Sequence, residues 1–273
     1  MNMSIQSNET RTGTVTVGRD WLSVALVLGG VLLLYYVVPL LSLFLSVPSG
    51  DILARMTDPA VVDAATTSLL SASISTVLAT AFGLPLAYWL ARTEGVVTKV
   101  VLAIAVLPLV LPPVVSGIVL LTVFGPGSPL GAATAAAGVP LTRSLAGVVL
   151  AQTFVASPFV VVTAKAAFES VDRTLEYASR SLGKSRLTTA RHVTLPLAGP
   201  GVLAGVTLAF ARAMGEFGAT MMMAYYPRTM PVQIWVAFIE LGLDNAYPVA
   251  ILLVLIAAVA LLVLYTVASN PWQ

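Results

Sequence analysis

Arg212 and Glu216 lie four residues apart inside the apolar run VLAGVTLAFARAMGEFGATMMM, residues 202–223. On a helix that spacing puts both on one face. A charge at the centre of a bilayer costs roughly 2.5–3.5 kcal/mol on insertion scales. The pair must therefore face a bundle interior, a contact between copies or a water-filled path. Two chemistries fit. Arg212 could offer positive potential to a passing dianion, or the two residues could form an internal ion pair that clamps helices and never meets a solute. The pair falls about ten residues past the start of the run, its cytoplasmic end by the charge bias described below, a placement near the inner mouth of the bundle. Arg212, Glu216 and Thr220 are candidate pathway residues.

A second cluster carries prolines. The run LPLVLPPVVSGIVLL, residues 107–121, holds Pro108, Pro112 and Pro113, followed by Ser116 and Gly117. Each proline removes a backbone donor and kinks a helix, and small residues allow close helix packing. Pro112, Pro113 and Ser116 are candidate path or gate residues, with a packing kink as the alternative.

Enzyme chemistry finds no foothold. There is no cysteine, no G-x-x-x-x-G-K-[ST] phosphate loop and no His-Glu-x-x-His, so a thiol nucleophile, ATP binding of that kind and that metal motif are all absent. No metal site or resident cofactor is expected.

The elements that position these residues are membrane helices. Apolar residues make up 58% of the 273-residue chain and charged residues 10%, against about 25% charged in soluble domains. A bilayer needs roughly 20 apolar residues per helix. Six segments qualify, at about 21–46, 68–91, 97–124, 144–164, 202–224 and 248–268. The fold class is an all-α membrane protein with six transmembrane helices. Residues 1–20, rich in Ser, Thr and Asn, read as a cytoplasmic N-terminal tail. Pro231–Leu241 is too short to cross and reads as an interfacial or re-entrant helix anchored by Trp235. With the N-terminus inside, cytoplasmic segments hold ten Lys and Arg. External loops hold only Arg55, Arg143 and Arg228. That bias places both termini in the cytoplasm and describes a multi-pass cell-membrane protein.

One polar island interrupts this pattern: FESVDRTLEYASRSLGKSRLTTARHVTLPLAGP, residues 168–200. Ala164 to Leu182 is helix-compatible, with an apolar stripe at Ala167, Val171, Leu175, Ala178 and Leu182. Gly183 is a helix stop, and Pro196 and Pro200 redirect the chain. The residues alone allow either an interfacial helix on the lipid surface or a docking element.

The loop 165–200 resembles the coupling loop of permease subunits in ATP-binding-cassette importers, the EAA motif. Gly183, Val193, Leu195 and Pro196 match its glycine-to-Leu-Pro spacing. Ala178 and Ser179 fill the small positions, and Leu182 precedes the glycine. Tyr177 stands at the motif's glutamate position, with Glu176 one residue earlier. The runs 107–121 and 209–222 are similar to helices of the oxyanion permeases. The resemblance implies the type I importer architecture and a molybdate or tungstate permease, with a sulfate or thiosulfate permease as the alternative. It also implies two copies of a separate ATPase subunit that bind ATP and Mg, a second copy of this chain as a homodimer, and an extracytoplasmic oxyanion-binding protein. No nucleic acid is implied. Two other classes remain. An ion-gradient-driven transporter would show inverted repeats and buried coupling acids. A scaffold protein would use the loop without transport.

Overall fold

The computed structural model describes residues 19–269, and those residues form helices and the connections between them. The tail expected at 1–20 lies outside the described residues, apart from Arg19 and Asp20, which open the first helix. The chain divides into two units, 1–46 and 47–273. The first contains α1 (Arg19–Leu45), 27 residues and so about 40 Å long. Its apolar side chains run round the whole circumference, the pattern of a helix immersed in lipid.

The second unit begins with α2 (Ser49–Met56), α3 (Pro59–Arg92), α4 (Val96–Val110), α5 (Pro113–Phe124) and α6 (Pro129–Ala136). It continues with α7 (Leu145–Glu169), α8 (Arg173–Ser181) and α9 (Arg186–Thr189). A π-helical turn, Ala190–Thr194, leads into α10 (Leu195–Met214). The chain then forms α11 (Gly218–Met223), α12 (Met230–Leu241) and α13 (Leu243–Ser269).

Helices α3, α7 and α10 form the core, and small residues make it possible. Helix α3 buries Ser68, Ala72, Ser75, Ala79, Gly83 and Ala87, a seam repeating every three or four residues. A Cβ on Gly83 would stand 3.2 Å from Val160 Cγ1 of α7. One on Gly201 of α10 would stand 2.6 Å from Ala167 Cβ, and one on Gly205 would overlap the Thr163 side chain. In lipid there is little hydrophobic gain from helix association, so this close backbone approach, through dispersion, holds the bundle. Polar side chains add bonds across the seam. Ser75 Oγ lies 3.1 Å from the Val149 carbonyl and 3.2 Å from Gln152 Oε1. Ser68 Oγ accepts the Met230 N–H at 2.8 Å, which ties α12 to α3.

Among the described residues, five helices are long and apolar enough to cross a membrane, and a sixth crossing arises if α4 and α5 are counted as one. The segment 97–124 is not one straight helix. It breaks at Leu111–Pro112, and the axes of α4 and α5 differ by 119°. Both residues are extended, with ψ of 132° and 135°, because each precedes a proline that disfavours helical geometry. The segment 202–224 is also interrupted. Helix α10 starts earlier, at Leu195, and ends at Met214, and α11 restarts at Gly218. Helix α3 begins at Pro59, nine residues before the expected span. Asp58 accounts for this, since its side chain accepts the Ala60 N–H and Pro59 sits in the first turn. Helices α7 and α13 likewise run past 144–164 and 248–268. Pro231–Leu241 falls within the short helix α12.

Candidate functional site

Two places in the second unit gather the residues singled out from the sequence, one at each end of α10.

The first is the loop that carries α8. The single helix expected over Ala164–Leu182 is two helices. Helix α7 ends at Glu169, and Asp172 starts α8 by accepting the Thr174 N–H at 2.8 Å. That bond holds the Asp172 carboxyl below its usual 3.8. The break divides the expected stripe. Ala167 packs on Gly201 and Val171 is buried, whereas Leu175, Ala178 and Leu182 face outward. At its other end α8 closes in a Schellman motif. The Lys184 N–H donates to the Ser179 carbonyl and the Gly183 N–H to the Arg180 carbonyl, with Gly183 at φ +81°. That left-handed geometry favours glycine, and it turns the chain sharply into α9.

Glu176 fixes this loop to the bundle. It is 8% exposed, although it sits on a short polar helix. Arg92, in the last turn of α3, donates from Nε to both carboxylate oxygens at 3.1 Å and from Nη2 to Oε1 at 2.5 Å. Thr194, just before α10, donates its hydroxyl to Oε1 at 2.6 Å. One carboxylate therefore joins α3, α8 and the start of α10. Burial pushes the Glu176 carboxyl up. The bonds from Arg92 and Thr194 and the positive charge of Arg92 and Arg173 outweigh that and hold it below the usual 4.5. Arg92 also lies over the Tyr88 ring, 5.7 Å from its centroid, and Tyr88 meets Phe168 edge to face. Ser179 Oγ and Thr189 Oγ1, 3.0 Å apart, join α8 to α9.

The remaining motif residues lie on the outside. Tyr177 is 58% exposed and Leu182 82%. Leu187 of α9 is 79% exposed. Val193 is half-buried in the π turn, and Leu195 and Pro196 open α10 at the surface. The charged contact belongs to Glu176, and Tyr177 is exposed beside it.

The second place is the junction of the two broken helices. A Cβ on Gly218 of α11 would stand 2.8 Å from Pro113 Cβ and 3.0 Å from the Val114 nitrogen of α5. One on Gly117 would stand 2.6 Å from Met222 Cβ and 2.9 Å from the Ala219 carbonyl. The breaks at 111–112 and 215–217 therefore pack together. Ser116 on α5 and Thr220 on α11 are fully buried, with hydroxyls that have no hydrogen-bond partner among the described residues. Glu216 sits in the break, 1% exposed, and Arg212 closes α10. Arg212 Nη2 lies 2.5 Å from Glu216 Oε2, and Glu216 Oε1 accepts the Ala219 N–H at 2.7 Å. The structure thus brings together Pro112, Pro113, Ser116, Glu216 and Thr220, with Arg212 held to them through Glu216. Arg212 is 17 residues into α10, about 26 Å along the axis from the end that carries α8 and α9. It is therefore not near that mouth, because α10 begins seven residues before the expected span.

Sequence reasoning missed Arg92 and Thr194 as the partners of Glu176. Arg92 could have been found, as a lone cation at the last turn of a long apolar helix. Thr194 carries no such signal. The capping of α11 by Glu216 was also missed, since an (i, i+4) ion pair suggests an unbroken helix.

Comparison with known proteins bears on this arrangement. Residues 83–270 match the model of the binding-protein-dependent transport system inner membrane component. A probable molybdenum ABC transporter permease protein of Haloferax volcanii is 55% identical, covering 98% of each chain. The molybdate/tungstate transport system permease protein WtpB of Pyrococcus furiosus is 37% identical, over 88% of this chain and 92% of that one. Among solved structures, a bacterial ABC transporter involved in import of the acidic polysaccharide alginate aligns with TM-score 0.72 at 15% identity. It covers 93% of this chain and 97% of its own. The MetNI methionine ABC transporter, in inward-facing conformation, aligns with TM-score 0.62 at 18% identity, over 78% and 96%. These two likenesses establish the fold. The family model over residues 83–270, with the length and identity of the sequence matches, shows that the chain belongs to the family of binding-protein-dependent transport system inner membrane components.

Proposed function

We propose that this chain is the permease subunit of an ATP-driven importer for a tetrahedral oxyanion, molybdate or tungstate. The observation that carries the substrate class is the near full-length likeness to permeases named for molybdenum and for molybdate/tungstate. The chain itself is a transport component and not an enzyme. ATP and Mg belong to a partner ATPase, present in two copies, and two copies of this chain form a homodimer served by an extracytoplasmic binding protein. Such pairing follows the two-fold symmetry usual for a single-chain permease. Both termini and the loop 165–200 face the cytoplasm, in keeping with the excess of Lys and Arg on those segments.

In this reading α8 is the coupling element. Its outer face presents Tyr177 and Leu182, with Leu187 beside them, apolar groups on a polar loop that fit a partner's groove. Glu176 transmits the partner's movement, because it holds α8 to α3 and α10 at once. The path runs by the α5–α11 junction, where Pro112, Pro113, Ser116 and Thr220 lie together. Glu216 has both oxygens engaged and serves to hold the break. Arg212 is about a quarter exposed and supplies positive potential beside it.

The test is oxyanion uptake into liposomes containing this chain, its ATPase and its binding protein, comparing wild type with Gly183→Trp. ATP-dependent molybdate uptake that is lost in the variant, together with stimulated hydrolysis, is the expected result. Uptake that persists without ATP or without the ATPase would overturn the importer reading.

A further inference from the structure

A cavity of about 220 Å³ opens beneath α8, between that helix, α9 and the end of α3. Four arginines line it, Arg92, Arg173, Arg180 and Arg186, against one carboxylate, Glu176. Arg92 is committed to Glu176. Arg173 reaches the Ala91 carbonyl at 3.4 Å, at the negative end of α3. Arg180 and Arg186 have no hydrogen-bond or ion-pair partner among the described residues. The nearest other acid in sequence, Asp172, is outside the lining and capped on Thr174. The walls thus carry three positive charges in excess around a concave space that also offers Thr189 and two tyrosines, Tyr88 and Tyr177. At roughly 30 Å³ per water the space equals about seven waters, enough for a tetrahedral anion with part of its hydration.

We propose that this cavity binds a tetrahedral oxyanion group, with Arg180 and Arg186 as its principal ligands. Guanidinium forks match such a group in geometry as well as charge. The group has two possible sources, a free inorganic dianion or the phosphate of an acidic lipid, since the cavity lies at the C-terminal end of α3, a helix long enough to span, and basic segments beside such ends attract headgroups. The site lies about 26 Å along α10 from Arg212, so it is separate from the α5–α11 junction, and it does not depend on the transport reading.

The experiment is direct binding to the full-length chain in phosphatidylcholine nanodiscs, so failure of uptake would not bear on it. Radiolabelled inorganic phosphate and molybdate are titrated by equilibrium dialysis. A parallel set of nanodiscs contains phosphatidylglycerol, and native mass spectrometry counts the lipid retained. Saturable binding of one free anion per chain, weakened about tenfold or more in R180Q/R186Q and unchanged in R191Q, supports the site with a free anion as ligand. Selective retention of one phosphatidylglycerol, lost in the same variant, supports it with the lipid as ligand. Should the double variant fail to purify, R180Q and R186Q are each expected to weaken binding about threefold. Absence of saturable binding of every probe would overturn the proposal. So would equal weakening by R191Q, which lies outside the cavity. So would loss of ATPase association in R180Q/R186Q with anion binding intact, since the arginines would then serve a protein surface.

Discussion

Glu176 is the residue at which this loop is most open to disproof. Substitution by alanine removes a two-toothed bond from Arg92 and a hydroxyl bond from Thr194. Breaking a buried ion pair from one side costs about 3–5 kcal/mol. Here the pair stands at the bundle's edge, with side chains 14% and 11% exposed, so water reclaims part of that and about 2–3 kcal/mol is expected. Global unfolding is the wrong assay, since a loop can open while the bundle stays shut. Hydrogen exchange of the α8 amides reads the loss where it occurs. At 1.4 kcal/mol per tenfold, E176A should speed exchange in α8 about 30- to 140-fold and leave α7 unchanged. R92A should act alike, and the double variant should cost little more than either single, a coupling of about 1.5 kcal/mol or more. Additive effects of the two single changes would refute the anchor.

The same contact sets a pH dependence. The folded carboxyl of Glu176 titrates below its usual 4.5. Its contribution is therefore fully present above 4.5 and is lost as pH falls through the lower folded value. Exchange in α8, corrected for intrinsic rate, should be constant from neutral pH down to about 5 and accelerate below that. In E176Q, which cannot ionise, that acceleration should shrink to the part contributed by Asp172, whose capping carboxylate loses its effect only as pH falls below 3.8; undiminished acceleration would assign the effect to another group.

Other expectations concern the rest of the site. Gly183→Ala forces a Cβ into φ +81° and should destabilise the loop by about 1–2 kcal/mol, read as faster exchange of the last α8 amides; no change would remove the Schellman geometry. Leu182→Asp leaves an exposed position exposed, so the chain should fold normally while ATPase association falls in pull-down; full association would take Leu182 off the docking face. Gly218→Val drives side-chain atoms onto the Val114 backbone and should cost about 1–3 kcal/mol or more with loss of uptake; a normal melting temperature would show that the α5–α11 contact is loose. Arg212→Gln leaves Glu216 buried without its cation and should cost about 3–5 kcal/mol, recovered in R212Q/E216Q. If uptake returns along with stability in the double variant, the pair is a clamp and not part of the path.

Legibility in the sequence followed the physics of each signal. Membrane class was readable because bilayer thickness sets a length and a composition that few other folds imitate. The broken third segment was readable as prolines but not as an angle of 119°, because proline removes donors without dictating where the next helix goes. The stop at Gly183 was readable, since a glycine after a capped amphipathic stretch has few other uses. The division of 164–182 at Asp172 was not. The apolar spacing runs through the break unchanged, and only the capping of Thr174 by Asp172 shows that a new helix begins. Glu176 was legible as a motif neighbour and not as a buried anchor, because its partners are 84 and 18 residues away and local spacing carries no trace of them.

Helix α10 is tied at both ends by a glutamate. Before it, Thr194 bonds Glu176 and so the α8 loop. After it, Arg212 forms an ion pair with Glu216, whose other oxygen accepts the Ala219 N–H of α11. Between these ties, Gly201 and Gly205 bring the helix against Ala167 and Thr163 of α7, a backbone approach that leaves little room for sliding. Movement imposed on α8 therefore cannot be absorbed within α10. It is carried about 30 Å to the place where the helix ends, residues 215–217. There α11 rests on α5, itself freed from α4 by Leu111 and Pro112. Helix breaks are where hinge motion concentrates, and here two of them face each other across Gly117 and Gly218. On the proposed importer reading, a load applied at the loop would be released at the junction that holds Ser116, Thr220 and Glu216, as coupling a cytoplasmic motor to a membrane path requires.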